Sequence, residues 1–361
     1  MRVTLVISSL GGGGAERVLT TLANYWVEQG HQVTIISIAD DAGDVEYPID
    51  SRVTVRQLSL RASSHTLRDA VGANVGRLRA LRAAVRDSRP DGVIAFMTEN
   101  NILTRFATLG LRKPVIVSER VIYRRPTIPR FWRWLRPVAY RLSTALVLQT
   151  DDSIEQVPKL LHSKVRVIPN PVPPGPRRVV RDQSTQHTLI AMGRLSGEKG
   201  FDLLLESFAK IAPKHPDWSL TIYGEGRLHD DLLAQRDSLG LRDRVNFPGP
   251  TRQPRERMAE SDLFVLSSRH EGFPNALCEA MATGVPVVSF ACDYGPRSII
   301  RDGIDGVLVP NENVDALAVA LDRLMSDPAE RDRLGNAAVE IVDRFSLPRV
   351  AAQWEALISG R

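Results

Sequence analysis

Two glutamates, Glu271 and Glu279, stand with seven residues between them. The loop Gly272, Phe273, Pro274 and Asn275 follows the first, and it is rich in helix breakers. From Ala276 to Ala282 the residues are good helix formers, and Gly284 then Pro286 mark the helix end. Leu263–Leu266 and Val285–Phe290 are short apolar runs on either side. The segment therefore predicts strand, loop, helix, loop, strand. Glu271 falls in the loop before the helix and Glu279 about two turns into it. The backbone N–H groups of Asn275, Ala276 and Leu277 open that helix, and such a terminus is a natural anion site. A carboxylate accepts hydrogen bonds at both oxygens, so Glu271 and Glu279 suit the diols of a sugar and a ribose. Two glutamates alone fit an ordinary capping loop with an exposed acid better than a ligand site. The full order Glu-Gly-Phe-Pro, Glu-Ala-Met-Ala, Gly-x-Pro-Val-Val is far more specific.

A second candidate lies upstream. The apolar run 188–192 ends in Gly193, Arg194, Leu195, Ser196, Gly197, Glu198, Lys199 and Gly200, and a helix pattern starts at Phe201. Two cations in a glycine-rich loop above a helix start suit a diphosphate. Arginine grips a pair of oxygens and lysine acts as a point charge. A surface turn with scattered charges is the plainer alternative. Near the N-terminus, the strand pattern 3–9 runs into Gly11, Gly12, Gly13 and Gly14 and then a helix with Val18, Leu22, Tyr25 and Trp26 at helical spacing. Such a turn lets backbone approach a ligand. The Gly-x-Gly-x-x-Gly dinucleotide spacing is absent, because position 16 is Glu.

With these residues in view, the chain resembles the retaining nucleotide-sugar glycosyltransferases of family 4, and the likeness covers nearly its whole length. The resemblance implies an α/β chain of the GT-B fold, two Rossmann-like parallel-sheet domains facing a central cleft. It implies Glu271 at the donor sugar, Glu279 at the ribose, and Arg194 with Lys199 at the diphosphate. Gly193, Gly272, Phe273, Pro274, Asn275, Ala276 and Leu277 would line the donor, and Phe247, Pro248 and Gly249 would lie beside the base. Gly12, Gly13 and Gly14 would face the cleft on the acceptor side. So would Glu119 and Arg120, which end the strand 114–118. Many family members carry a histidine there, and this chain departs from that pattern.

Strands and helices alternate along the chain, which predicts parallel sheets covered on both faces. Asn170-Pro-Val-Pro-Pro-Gly-Pro176 is the clearest punctuation. It predicts a first domain over 1–170, a linker over 171–187 and a second domain over 188–344. By the resemblance, the last helix, within 345–361, crosses back onto the first domain. The two cysteines, Cys278 and Cys292, make no disulfide framework, and no carboxylate cluster suits Mg²⁺, so neither metal nor cofactor is expected. No run reaches the roughly 18 apolar residues of a membrane span. The expected location is cytoplasmic.

Net charge is +5, unevenly spread. Residues 1–170 hold 24 Lys+Arg against 15 Asp+Glu, or +9, and the remainder 23 against 27, or −4. Within 120–141 there are seven arginines and no acid. At helical spacing Phe131, Trp134, Leu135, Val138 and Leu142 share a face, with Arg130, Arg133 and Arg141 beside it and Arg124 just upstream. That pattern fits a helix lying on an anionic membrane surface at the cytoplasmic face. It also fits a core helix, or a stacking surface for single-stranded nucleic acid, and Pro137 argues against one continuous helix.

The expected activity is retaining, metal-independent transfer of a hexose or N-acetylhexosamine from a nucleotide diphosphate donor, UDP-linked, to a hydroxyl. The expected acceptor is a polyprenyl-diphosphate glycan. A nucleotide-sugar epimerase of the same fold, or a nucleic-acid-binding protein acting through 120–141, are the rivals. The first lacks a second titratable pair, and the second gives Glu271 and Glu279 no task.

Overall fold

Short runs rich in Val, Ile and Leu, buried on both faces, make the central strands of both sheets, as parallel sheets require, while edge strands are partly exposed. The computed structural model describes residues 1–11, 13–38, 47–59, 67–120, 123, 128–179 and 186–360, with the side chains of 67–74 left aside. Gly12 and Arg124 lie outside the described residues. The chain divides into two units, Met1–Pro171 with Leu347–Arg361, and Val172–Ser346.

The first unit runs β1 (Arg2–Ile7), α1 (Gly14–Glu28), β2 (Gln32–Ser37), β3 (Thr54–Gln57), α2 (Leu67–Asp87), β4 (Gly92–Phe96), α3 (Thr98–Ala107), β5 (Val115–Ser118), α4 (Arg130–Leu142), β6 (Ala145–Leu148) and β7 (Val165–Val167). Its sheet has the order β3-β2-β1-β4-β5-β6-β7, all parallel. The order reverses between β1 and β4, so their carboxyl ends diverge into different loops.

The second unit runs β8 (His187–Met192), α5 (Phe201–Ile211), β9 (Trp218–Tyr223), α6 (His229–Ser238), β10 (Val245–Gly249), α7 (Pro254–Ala259), β11 (Leu263–Leu266), α8 (Asn275–Thr283), β12 (Val287–Phe290), α9 (Pro296–Ile299), β13 (Val307–Val309), α10 (Val314–Ser326), α11 (Pro328–Ala338) and α12 (Ile341–Arg344). Its parallel sheet has the order β10-β9-β8-β11-β12-β13. Here the reversal falls between β8 and β11, registered Leu263 to Leu189 and Phe264 to Ile190. The proline-rich segment is fastened down within this unit. Val172 N–H donates to Phe345 O (2.8 Å) and Arg178 N–H to Thr283 O (2.8 Å).

A last helix, α13 (Leu347–Ser359), belongs to the first unit. It buries Val350, Ala351, Trp354 and Ile358 against that unit's core. The Trp354 ring lies 5.9 Å from Phe96, and Trp26 Nε1 donates to Glu355 Oε1 at 2.9 Å. Truncating such a buried Trp costs about 3–5 kcal/mol, so the C-terminus is structural for the N-terminal sheet.

Helix α4 is continuous from Arg130 to Leu142, with Pro137 inside it. It has two apolar faces. Ala139 and Tyr140 bury inward with Arg136, while Phe131 (59% exposed), Trp134 (81%), Val138 and Leu142 stand in solvent beside exposed Arg130, Arg133 and Arg141. Leu135 is half-buried. The stripe named from spacing is therefore the outer face, not core. Among the described residues no helix is long and apolar enough to cross a membrane.

Candidate active site

The reversal between β8 and β11 places two loops side by side at the carboxyl edge of the second sheet. This is where parallel sheets bind ligands. From β8 comes Gly193–Gly200, and from β11 comes Ser267–Pro274. Lys199 Nζ meets Glu271 Oε1 at 2.6 Å, and Ser268 Oγ donates to the same oxygen at 2.6 Å. Glu271 is 8% exposed, whereas the Lys199 side chain keeps 26% of its surface. Lysine has three N–H donors, so one satisfies Glu271 and the others can reach an anion in solvent. A Cβ on Gly193 would come within 3.3 Å of the Lys199 stem, which is why glycine lets the lysine lie along it. Arg194, next along this loop, is exposed.

The geometry of the Lys199 loop is imposed from β11. Ser267 Oγ donates to Lys199 O (2.9 Å), and Arg269 N–H donates to Glu198 O (2.8 Å). Gly200 sits at φ +60°, where a side chain would collide with Ser267 O at 2.1 Å. Arg269 Nη1 donates to Gly197 O (2.8 Å), and its fork binds Asp202 at 2.8 and 2.6 Å while Nε reaches Glu312 at 3.0 Å. The guanidinium hydrogen-bonded to Asp202 holds that carboxyl below its usual range, and Asp202 in turn raises the Arg269 pKa. The sequence reading gave Arg269, Ser268 and Asp202 no role at this site. Their spacing carries no signal, because the partners converge only after β8 and β11 pair.

Helix α8 starts on the same edge. Pro274 is its N-cap, with no side-chain cap hydrogen bond, and the first backbone bond into the helix is Cys278 N–H to Pro274 O (3.2 Å). The N–H groups of the first turn thus point out of the helix. Phe273 packs its ring 5.9 Å from Phe345, fixing the loop. Gly295, at φ +119°, lets the following loop close on Pro274, where a Cβ would fall 2.8 Å from Cδ. Gly272, Asn275 and Ala276 are half-buried and Leu277 is buried. Glu279 is 5% exposed, on the second turn. Nearby, burial, with a smaller push from the Glu271 charge, raises the Cys292 thiol to about 12.

The structure thus gathers Gly193, Arg194, Lys199, Glu271, Gly272, Phe273, Pro274, Asn275, Ala276, Leu277 and Glu279 in the loops and first helix turns around one sheet edge. In the first unit, Gly13 is the extended N-cap of α1 and Gly14 its first residue, at the carboxyl end of β1. Arg120 follows β5. Glu119 does not face a ligand as expected. Its side chain is 1% exposed. It accepts from Thr98 Oγ1 (2.6 Å) and Tyr140 OH (2.5 Å), and it pairs with Arg136 at 3.1 Å. Side chains alternate along an extended chain, so Glu119 and its neighbour Arg120 leave the strand on opposite sides.

Comparisons with known proteins agree with this layout. Residues 12–175 match the family described as Glycosyltransferase Family 4, and residues 177–340 match Glycosyl transferases group 1. A Campylobacter jejuni relative is 30% identical over 99% of this chain and 98% of its own. It is described as a GalNAc-alpha-(1->4)-GalNAc-alpha-(1->3)-diNAcBac-PP-undecaprenol alpha-1,4-N-acetyl-D-galactosaminyltransferase. The chain is a family 4 glycosyltransferase. The transferase also matches a Streptomyces coelicolor protein described as an exopolysaccharide phosphotransferase, 29% identical over 96% of this chain but only 39% of that protein. Among solved structures, Anabaena HepE in complex with UDP and glucose superposes with a TM-score of 0.82 at 19% identity, covering 100% of both chains. That likeness speaks for the fold, and the two parallel-sheet domains expected of a GT-B transferase are those found.

Proposed function

We propose that this transferase moves an N-acetylhexosamine or hexose from UDP to a hydroxyl of a polyprenyl-diphosphate glycan, with retention at the anomeric carbon. The observation that carries the reading is the Lys199–Glu271 pair at the β8/β11 reversal, beside the α8 N-terminus. The donor lies across that helix start. Glu271 accepts from the sugar hydroxyls, and Glu279 from the ribose diol. Lys199, exposed Arg194 and the first N–H groups of α8 take the diphosphate. As the anomeric C–O bond breaks, charge grows on the leaving phosphate. Fixed cations and helix N–H groups stabilise it there without reorganising, usually the largest single term in such catalysis. The acceptor oxygen attacks the face the phosphate leaves, and its proton passes to the departing phosphate oxygen. No protein nucleophile enters the step. The lipid-linked acceptor in the C. jejuni relative's description and the UDP in the HepE complex support the acceptor and donor class.

The exposed Phe131, Trp134, Val138 and Leu142 stripe, flanked by arginines, supports a peripheral site on the anionic cytoplasmic membrane surface. Such a surface would bring the transferase to its lipid acceptor. Nucleic acid is not part of this reading. The test is a panel of nucleotide sugars screened for thermal protection, with each hit then assayed for transfer and the product anomer read by NMR. Protection by none of the panel, or an inverted product, overturns the proposal.

A further inference from the structure

Among the described residues, Arg136 and Arg331 are buried and compensated, and the Arg120 guanidinium is shut off from solvent without such compensation. Arg136 pairs with Glu119 at 3.1 Å and donates to Tyr123 O at 2.7 Å, its guanidinium 3.3 Å over the Tyr123 ring. Arg331 donates to Leu324 O and Met325 O (2.6 and 2.9 Å), carbonyls of the last turn of α10, where the helix dipole is negative. Arg120 has no such company. Its guanidinium lies 4.0 Å over the Phe96 ring and 5.8 Å from Trp354, with Nη1 donating to Asn170 Oδ1. Nε and Nη2 are shut off from solvent and, among the described residues, have no hydrogen-bond partner. No acid among the described residues pairs with it, and burial alone pulls its pKa down to about 9.

A guanidinium carries five N–H donors and no acceptor. Burying one without a counter-charge is expensive, and proteins keep such groups where a ligand repays the cost. The position fits a ligand too. Arg120 leaves the carboxyl end of β5, while Gln149 follows β6 and Asn170 follows β7 on the same edge. Gln149 Nε2 donates to Asn170 Oδ1 at 2.9 Å, so the amide oxygen that holds Arg120 is itself held. The result is a braced cation with two unspent donors at the ligand-binding edge of the first sheet.

We infer that Arg120 binds the phosphate or diphosphate of the acceptor, its Nε and Nη2 forking onto two oxygens of the anion. The assignment deepens the reading of the acceptor as a diphosphate-linked glycan and rests on it. Charge neutralisation then comes from the substrate, so the free protein carries a strained cation that the acceptor relieves.

The test measures melting temperature with UDP saturating the other unit, then adds inorganic pyrophosphate, for wild type and Arg120→Gln. In parallel, kcat/KM is compared for a diphosphate-linked acceptor and for the same glycan on a phosphate-free alkyl chain. The expected result is a further pyrophosphate shift in wild type that Arg120→Gln abolishes. The preference for the diphosphate acceptor should also fall by about tenfold or more, as loss of charge-assisted hydrogen bonds implies. A lost shift with an unchanged preference overturns the lipid as source and leaves free phosphate as the ligand. A pyrophosphate shift equal in both proteins, or none in wild type, overturns the site itself. Should Arg120→Gln fail to fold, Arg120→Lys keeps the charge without the fork. Wild-type behaviour from that variant in both assays also overturns the inference. The UDP shift, read first, reports on the donor reading independently.

Discussion

Arg269→Leu removes four hydrogen bonds at once: two to Asp202, one to Glu312 and one to Gly197 O. Asp202 and Glu312 are 41% and 47% exposed, so each ion pair is screened and contributes below about 1 kcal/mol. The Gly197 carbonyl loses a charged donor, at about 1–2 kcal/mol. The sum is about 2–3 kcal/mol. For a unit of this size each kcal/mol moves the melting temperature by about 2–4 °C, so a fall of about 4–12 °C is expected. The Lys199 loop keeps its bonds to Ser267 Oγ and the Arg269 N–H, so it loosens rather than unfolds. A reacting group displaced by about 1 Å loses about 10²-fold in rate, and kcat should fall by that order at temperatures where the variant is folded. Arg269→Lys retains charge but cannot bridge Asp202 and Gly197 O together. It should recover part of the stability and little of the rate. The assay pairs thermal unfolding with steady-state transfer. A variant with the lowered melting temperature and kcat within threefold of wild type would show that Arg269 serves the fold and not the site.

Other outcomes follow from the same geometry. The Asp202 pKa is depressed by Arg269, so its stabilisation is present above the ordinary 3.8 and is lost as pH falls through the lower folded value. Acid unfolding of Arg269→Leu should therefore show a weaker pH dependence there than wild type. Glu119→Gln leaves the buried Arg136 charge uncompensated and should cost about 3–5 kcal/mol by denaturant unfolding. The double variant Glu119→Gln with Arg136→Met should recover a large part of this, and a double variant no better than the single one contradicts the pairing. Cys292, with its thiol pushed up to about 12 and buried, should resist a thiol reagent at neutral pH until the protein unfolds. Rapid native-state labelling at Cys292 would refute its burial. Trp134→Ser removes a side chain already 81% exposed. The melting temperature should hold within a degree or so, while sedimentation with anionic liposomes falls several-fold. Unchanged sedimentation would remove α4 from the membrane account.

Much of the fold was legible because its signals are local. The apolar runs Val3–Ile7, Val93–Phe96 and Leu263–Leu266, each followed by a loop and a helix pattern, announced parallel sheets before any pairing was known. The residues gathered at the β8/β11 edge were legible for a different reason. Glu271, Glu279, Arg194 and Lys199 sit in motifs whose order is specific, and β8 and β11 do pair to bring Lys199 to Glu271. What stayed hidden depends on which way a side chain leaves the backbone. Glu119 and Arg120 both follow the β5 strand, and nothing in the sequence says which turns into the core. The same holds for α4. Its spacing revealed the Phe131, Trp134 and Val138 stripe, but a helix with apolar residues on two faces does not reveal which face packs. Tyr140, Arg136 and Glu119 decide it, through a network spanning residues 98–140 in sequence. Arg269 was invisible for a related reason, since its partners come from two distant segments, Gly197 and Asp202 around the start of α5 and Glu312 before α10.

Calorimetric titration of UDP into wild type and Glu279→Gln asks whether a nucleotide is held across the start of α8. Wild type should bind UDP, and the variant, which neutralises the acid proposed to hold the ribose, should bind about tenfold or more weakly at an unchanged melting temperature. Equal affinity in both proteins, or no heat of binding in wild type, would contradict that placement.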